Sequence, residues 1–377
     1  MPIITANIPL SLYIHLPWCV QKCPYCDFNS HALKAALPEA DYVRALLADF
    51  DAQLPLIQGR PLVSIFFGGG TPSLFSGAAI QQVLNHVAKH VALPPEITLE
   101  ANPGTVDEAR FHDFHLAGVN RLSLGVQSLQ DDKLKTLGRI HGREAALRAI
   151  AAARKAGFDN LNIDLMFALP DQSIDDALSD LQTALAEAPT HLSWYQLTIE
   201  PNTLFHHQPP VLPSDDFTLE MQLAGQALLK EKGFQHYEVS AYAKGGLRCA
   251  HNLNYWEFGD YLGIGAGAHS KITRDDQVLR FMQPKHPQSY LREAHHAPMM
   301  QVVSAKDLVF EFMLNGLRLS EGVPVSLFSE RTGLEISLIK KIIDSAVDRG
   351  LLENNSQQLK PTEKGRLFLN ALVEMFL

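Results

Sequence analysis

The stretch Tyr13-Ile-His-Leu-Pro-Trp-Cys19-Val-Gln-Lys-Cys23-Pro-Tyr-Cys26-Asp-Phe28 decides how the rest of the chain is read. It holds three of the four cysteines, in the pattern C-x3-C-x2-C. A loop with that spacing can fold three thiolates around one small object. Soft thiolate sulfur favours iron–sulfur clusters or zinc. A closed zinc site takes four ligands, and no further Cys or His follows at zinc-finger spacing. Three thiolates suit a [4Fe-4S] cluster whose remaining iron stays open to a ligand that is not protein. The residues alone leave reduced core thiols, or zinc with a distant extra ligand, as rival readings. A disulfide framework does not suit so long a chain with so few cysteines.

Outward from this loop, short β-branched or aromatic runs alternate with longer helical stretches. Strands are predicted at 11–17, 62–68, 96–101, 120–126, 160–167 and 190–199. Helices are predicted at 39–54, 76–92, 143–156, 173–187 and 215–232. The first places Tyr42, Leu46, Leu47 and Phe50 on one face, and the second Ile80, Val83, Leu84 and Val87. Strand-then-helix repetition means βαβ units and a parallel sheet. Six units are fewer than the eight of a closed TIM barrel. An open, partial barrel and a doubly wound sheet both fit. The polar motifs fall at the C-terminal ends of these strands, where such folds bind ligands. Cys19 to Cys26 follow the first strand, Gly68-Gly69-Gly70-Thr71 the second and Glu100 the third. Gln127 ends the fourth strand, and Asp164 lies in the fifth.

The rhythm changes after 233. A strand-like run, 237–242, leads into Cys249-Ala-His251-Asn252-Leu-Asn-Tyr255-Trp256 and a glycine-rich stretch, 263–270. The segment 274–304, with Pro284, Pro287 and Pro298, reads as an irregular connection. The pairs His206-His207 and His295-His296 read as solvated loop residues. Helices are predicted at 305–317, 324–332, 336–349 and 362–375, with a hairpin around Asn354-Asn355-Ser356. That order resembles a winged helix, yet 305–377 carries nine Lys and Arg against ten Asp and Glu. A docking or structural role therefore fits better than DNA binding. The chain divides into a core over 1–235, a connecting segment over 236–304 and a C-terminal α+β domain over 305–377.

Composition sets outer bounds. The 377 residues are 46% hydrophobic and 19% charged, enough for ample core. The net charge of -9 argues against nucleic acid as the main partner. No stretch has the ~20 apolar residues of a membrane span, and the N-terminus has no signal-peptide pattern. A cytoplasmic protein is expected, with peripheral membrane contact left open.

An open iron needs a small molecule with hard donors, such as an amine and a carboxylate. S-adenosylmethionine (SAM) carries that pair beside a sulfonium, which reduction through the cluster can cleave to a radical. Gly68 to Gly70 let backbone approach a ligand closely. Thr71 adds a hydroxyl. Glu100 and Asp164 can accept from ribose hydroxyls or an ammonium, and Gln127 and Arg139 can bind a carboxylate.

Tyr13 to Cys26, Gly68-Gly-Gly-Thr-Pro72, Leu124-Gly-Val-Gln127 and Asn162-Ile-Asp164 closely resemble the radical SAM superfamily. Within it, the chain is similar to the group holding oxygen-independent coproporphyrinogen III oxidase (HemN) and HemW, over nearly its whole length. The resemblance implies a partial (β/α)6 TIM-like barrel with a C-terminal winged-helix-like domain. It assigns Cys19, Cys23 and Cys26 to a [4Fe-4S] cluster. It assigns Tyr13, Tyr25, Gly69, Gly70, Thr71, Glu100, Gln127, Arg139 and Asp164 to SAM. Two features separate the relatives. The oxidase-type motif has a further cysteine two residues after the last ligand, where this chain has Phe28. The HNxxYW motif, His251-Asn252-Leu-Asn-Tyr255-Trp256, is typical of HemW-type proteins, which implies a haem chaperone. Haem and haem-acceptor proteins are then the expected partners, a homodimer is admitted, and His251, Asn252, Tyr255 and Trp256 become the haem candidates. Imidazole is a common axial ligand, and Tyr and Trp offer flat area against a porphyrin. The alternative is a radical SAM oxidoreductase acting on a tetrapyrrole.

Overall fold

The computed structural model describes residues 8–293 and 298–377; His295 and His296 lie outside the described residues. Six strand–helix units open the chain. They comprise β1 (Leu10–Leu16), α1 (Glu39–Ile57), β2 (Leu62–Gly69), α2 (Gly77–Ala88), β3 (Glu96–Ala101), α3 (Glu108–Ala117), β4 (Arg121–Gln127), α4 (Arg143–Lys155), β5 (Asn160–Phe167), α5 (Ile174–Ala186), β6 (His191–Gln196) and α6 (Asp215–Glu231). Then come β7 (Gln235–Glu238), β8 (Ala241–Ala243), α7 (Ala250–Trp256), β9 (Asp260–Ile264), β10 (His269–Arg274), β11 (Gln277–Met282) and β12 (Met299–Val302).

All join one twelve-stranded sheet, in the order β12-β11-β10-β9-β1-β2-β3-β4-β5-β6-β8-β7. The first six strands pair in parallel and in chain order. Each crossover therefore advances in one direction, which makes an open barrel and rules out a doubly wound sheet, whose strand order reverses at a switch point. The central strands are buried nearly throughout, as parallel strands covered on both faces require. Tyr42, Leu46 and Phe50 of α1, and Ile80, Val83, Leu84 and Val87 of α2, pack into the main core as expected, with Leu47 half-buried. Ser76 caps α2 by accepting from the Ala79 N–H at 3.1 Å. Ser173 and Asp176 form a capping box on α5.

One segment differs from the expectation, and another, to which no element was assigned, proves helical. Among the described residues the stretch 274–304 is not irregular: β11 and β12 extend the sheet antiparallel, and a helix (Pro287–Glu293) lies between them in the chain. Pro284 and Pro298 fall between elements and Pro287 opens the helix, so proline punctuates regular structure there. The HNxxYW stretch folds as α7. Its two asparagines and paired aromatics are weak helix formers. The Glu96 carboxylate holds its start, accepting from the N–H groups of Ala250 (2.8 Å) and His251 (3.0 Å).

The C-terminal module begins with α8 (Ala305–Gly316) and continues through Val325–Thr332, Lys340–Asp348, Glu363–Leu367 and Leu369–Glu374. The helix expected over 362–375 breaks at Phe368. The expected hairpin is reduced to a bridge between Leu352 and Pro361, while Gln358–Leu359 pairs with Val323–Pro324. This module has its own apolar core, built around Phe312, Phe328, Leu352 and Leu372, to which Phe258, Val278 and Val303 contribute.

Candidate functional site

The loop after β1 is fixed from several sides. Gly70 N–H donates to the Leu16 carbonyl (2.8 Å), Thr71 N–H to Trp18 (2.7 Å) and Leu33 N–H to Cys19 (2.9 Å). Asn29 donates its amide to the Ala266 carbonyl (3.0 Å). A Cβ on Gly70 would sit 2.6 Å from the Trp18 carbonyl oxygen, and one on Gly69, at φ +114°, would strike the His15 ring. The glycines let β2 and the cysteine loop lie against each other.

Cys19, Cys23 and Cys26 line one cavity of about 400 Å³ together with Tyr25, Gly69, Gly70, Thr71, Glu100, Gln127, Arg139 and Asp164. These residues come from the ends of five strands and from the loops that follow. Burial raises the Cys19 thiol, and the two neighbouring cysteines raise it further. Arg139 is held from two sides: Nη2 donates to the Gly125 carbonyl at 2.6 Å and Nη1 lies 3.5 Å from Cys23 Sγ. Its Nε is buried without a protein partner. Gln127 sits at φ +71°, where the β4–β5 register slips by one residue. The Tyr195 hydroxyl donates to Gln127 Oε1 at 2.6 Å. Asp164 accepts from Asn162 (2.7 Å) and Ser123 (3.1 Å), and burial raises it. Burial and Asp164 push Glu100 up to about 8, against a Gly69 N–H that holds the anion. Two half-buried acids, with no cation hydrogen-bonded to either among the described residues, make a pocket floor suited to a positively charged ligand.

A second space of about 250 Å³ lies in the barrel beneath, sharing Glu100, Ser123 and Asp164 with the first. Tyr13, Phe66, Arg121, His251, Asn252 and Tyr255 also line it. His251 is 2% exposed and stacks on Phe66 with ring centroids 4.8 Å apart. Ser64 gives its hydroxyl proton to Ser11, so His251 Nδ1 donates to Ser64 Oγ at 2.9 Å. Nε2 then carries a lone pair and has no protein partner. Burial, with Arg121 nearby, lowers this imidazole to about 3, so it is neutral. Trp256 points elsewhere: it packs against the C-terminal core, with the Arg318 guanidinium 4.3 Å above its ring.

Residues 13–184 match the radical SAM superfamily, and residues 303–368 match the HemN C-terminal domain. The chain is 52% identical over 372 residues to the Heme chaperone HemW of Escherichia coli (strain K12), covering 98% of each chain. The chain belongs to the HemW family. A second member of that family, from Haemophilus influenzae (strain ATCC 51907 / DSM 11121 / KW20 / Rd), is 50% identical over 376 residues and again covered over 98% of each chain. Among solved structures, the coproporphyrinogen III oxidase HemN from Escherichia coli superposes with a TM-score of 0.83 at 23% identity, covering 98% of this chain and 90% of that one. That likeness fixes the fold: a radical SAM barrel with a HemN-type C-terminal domain.

Radical SAM membership of the HemW family implies a [4Fe-4S] cluster and SAM, and the residues present fit both. The donor set is three thiols at one cavity wall, with no further Cys or His among the described residues that line it. The orphaned Arg139 Nε and the two half-buried acids are polar groups that a zwitterionic, cationic ligand would satisfy. The HNxxYW residues split in two. His251, Asn252 and Tyr255 face the barrel interior and Trp256 the C-terminal module, so the four share no open surface. The interior space is below the roughly 300–1,000 Å³ of pockets for drug-sized ligands, and a porphyrin does not fit it. Cys249 is fully buried, and burial pushes its thiol up to about 12, so it is no thiolate here. Tyr195, Met166 and Ser123 line the upper cavity and were missed from the sequence. Among the described residues, no helix is long and apolar enough to cross a membrane.

Proposed function

We propose that this chain is a cytoplasmic haem chaperone that binds haem, a [4Fe-4S] cluster and SAM, and passes haem to acceptor proteins such as respiratory enzymes. The single observation that carries the reading is the end-to-end similarity to the Heme chaperone HemW of Escherichia coli. Phe28 supports it: the side chain is 60% exposed at the cavity rim, where an oxidase-type motif has a thiol.

Cys19, Cys23 and Cys26 hold the cluster. When bound, the cluster supplies an electron at an open iron, beside a sulfonium that can accept it. The protein's part is binding and orientation. Glycine backbone at Gly69 and Gly70 leaves room for ligand atoms, and Thr71 offers a hydroxyl. Glu100 and Asp164 accept from ammonium or ribose hydroxyls. Arg139 and Gln127 face carboxylate and Tyr25 closes an apolar side, whereas Tyr13, expected at SAM, lines the inner space with His251. Haem is cargo. Axial ligation by His251 requires α7 to leave the barrel interior, because its free Nε2 points inward.

The test is anaerobic incubation of the reconstituted protein with coproporphyrinogen III, SAM and a reductant. No protoporphyrinogen should form, while the same preparation takes up haem. Product in amounts tracking enzyme would replace this reading with tetrapyrrole oxidation.

A further inference from the structure

Asp51 on α1 and His86 and His90 at the end of α2 bring three ligand atoms to within 4.8 Å of one another. We infer that this cluster is a zinc site, separate from the cysteine loop. His86 Nε2 lies 2.7 Å from Asp51 Oδ1, and His90 Nε2 lies 3.7 Å from the same oxygen. One hydrogen bond accounts for His86. It does not account for His90, whose Nε2 turns to the same oxygen from beyond hydrogen-bond distance. Two imidazoles and a carboxylate converging on one point are the donor set of an open zinc site, with water in the remaining position.

The cluster is built from the helices. His86 lies in the last turn of α2 and His90 in the turn just beyond it, which brings the two rings side by side. The His90 N–H donates to the Val87 carbonyl at 3.0 Å, which holds the turn that carries it. Phe50, fully buried on α1, meets both rings, with centroids 6.1 Å from His86 and 6.0 Å from His90. The two imidazole centroids are 5.3 Å apart. Zinc–ligand bonds of about 2.0–2.2 Å in a tetrahedron set donors about 3.3–3.6 Å apart, so His86 Nε2 and Asp51 Oδ1 must open from 2.7 Å while His90 Nε2 stands close to the needed spacing at 3.7 Å. Side-chain exposures of 16% for His86, 35% for His90 and 48% for Asp51 leave a path for the ion. The helices return from the strand ends that carry the cysteines, so the site lies at the opposite end of the barrel. Zinc there would staple α1 to α2 without touching the cluster.

The experiment uses the full chain with its cluster already loaded anaerobically, so that the cysteines are occupied, and then titrates Zn2+ by calorimetry. One Zn2+ per chain is expected, with a rise in Tm. His90→Ala and the near-isosteric Asp51→Asn should each weaken binding by roughly tenfold or more and remove the Tm rise, at unchanged iron content. Absence of zinc binding by the loaded protein, or equal binding by both variants, would overturn the site.

Discussion

Arg139 ties Cys23 to the end of the fourth strand: one guanidinium nitrogen lies 3.5 Å from the Cys23 sulfur while another donates to the Gly125 carbonyl at 2.6 Å. The fork thus spans a proposed cluster ligand and the bulged strand that presents Gln127. Lysine has the charge but one nitrogen, so it can serve one end only. Arg139→Ala should cost about 1 kcal/mol by removing a hydrogen bond to a part-buried carbonyl, and Arg139→Lys somewhat less. Both should retain less iron after desalting than the parent chain. Equal melting and equal iron in both variants would remove the bridge from the account.

Gly70 tests the cradle. An added methyl group meets main chain at Trp18 and not a flexible side chain, so the cysteine loop itself must move. Gly70→Ala is expected to lose about 1–3 kcal/mol and most of its reconstituted iron, measured by chemical denaturation and by iron per chain. Full iron loading in that variant would mean that the close approach of β2 is irrelevant to the loop.

Glu100 makes cofactor binding depend on pH. Its folded value, about 8, lies above its ordinary 4.5, so the cofactor-free protein holds a proton there at pH 7. The stability linked to this group is full below about pH 4.5 and is lost as pH rises through about 8. A cationic ligand favours the ionised carboxylate. SAM affinity should therefore climb from about pH 6 to about pH 8 and then level off. Binding at pH 7 should release a proton, visible as buffer-dependent heats. Glu100→Gln should flatten the profile and stabilise the cofactor-free protein at pH 8. A profile that stays steep in this variant would assign the dependence to another group.

His251 separates two pictures of the haem motif. In the closed arrangement its ring is buried on Phe66 and bonded to Ser64, so His251→Ala should destabilise the fold by a few kcal/mol through lost packing. The Soret band of bound haem should not move. A shifted or absent Soret band in a folded variant would show that α7 opens to let this imidazole reach iron.

Much of this was legible beforehand. The six barrel strands follow from short β-branched and aromatic runs, and the α1 and α2 faces from period-3.6 patterning. The strand-end rule placed Gly70, Thr71, Glu100, Gln127 and Asp164 around the cysteines. Applied to the sixth strand, the same rule would also have found Tyr195. The HNxxYW motif was harder. Only once α7 is known to be a helix does spacing put His251 and Tyr255 on one face and Trp256 on another, and that helix depends on Glu96 far away in sequence. The Arg139 bridge likewise depends on a register slip near Gly125 that no local pattern announces.

The most direct measurement loads the cluster-reconstituted protein with haem, removes excess, and mixes it anaerobically with an apo-form haem protein. The Soret spectrum of the donor should give way to that of the acceptor, and the acceptor should gain activity, at a rate faster than haem loss to buffer. Haem that stays on the donor, or that leaves no faster than into buffer alone, would contradict a chaperone function.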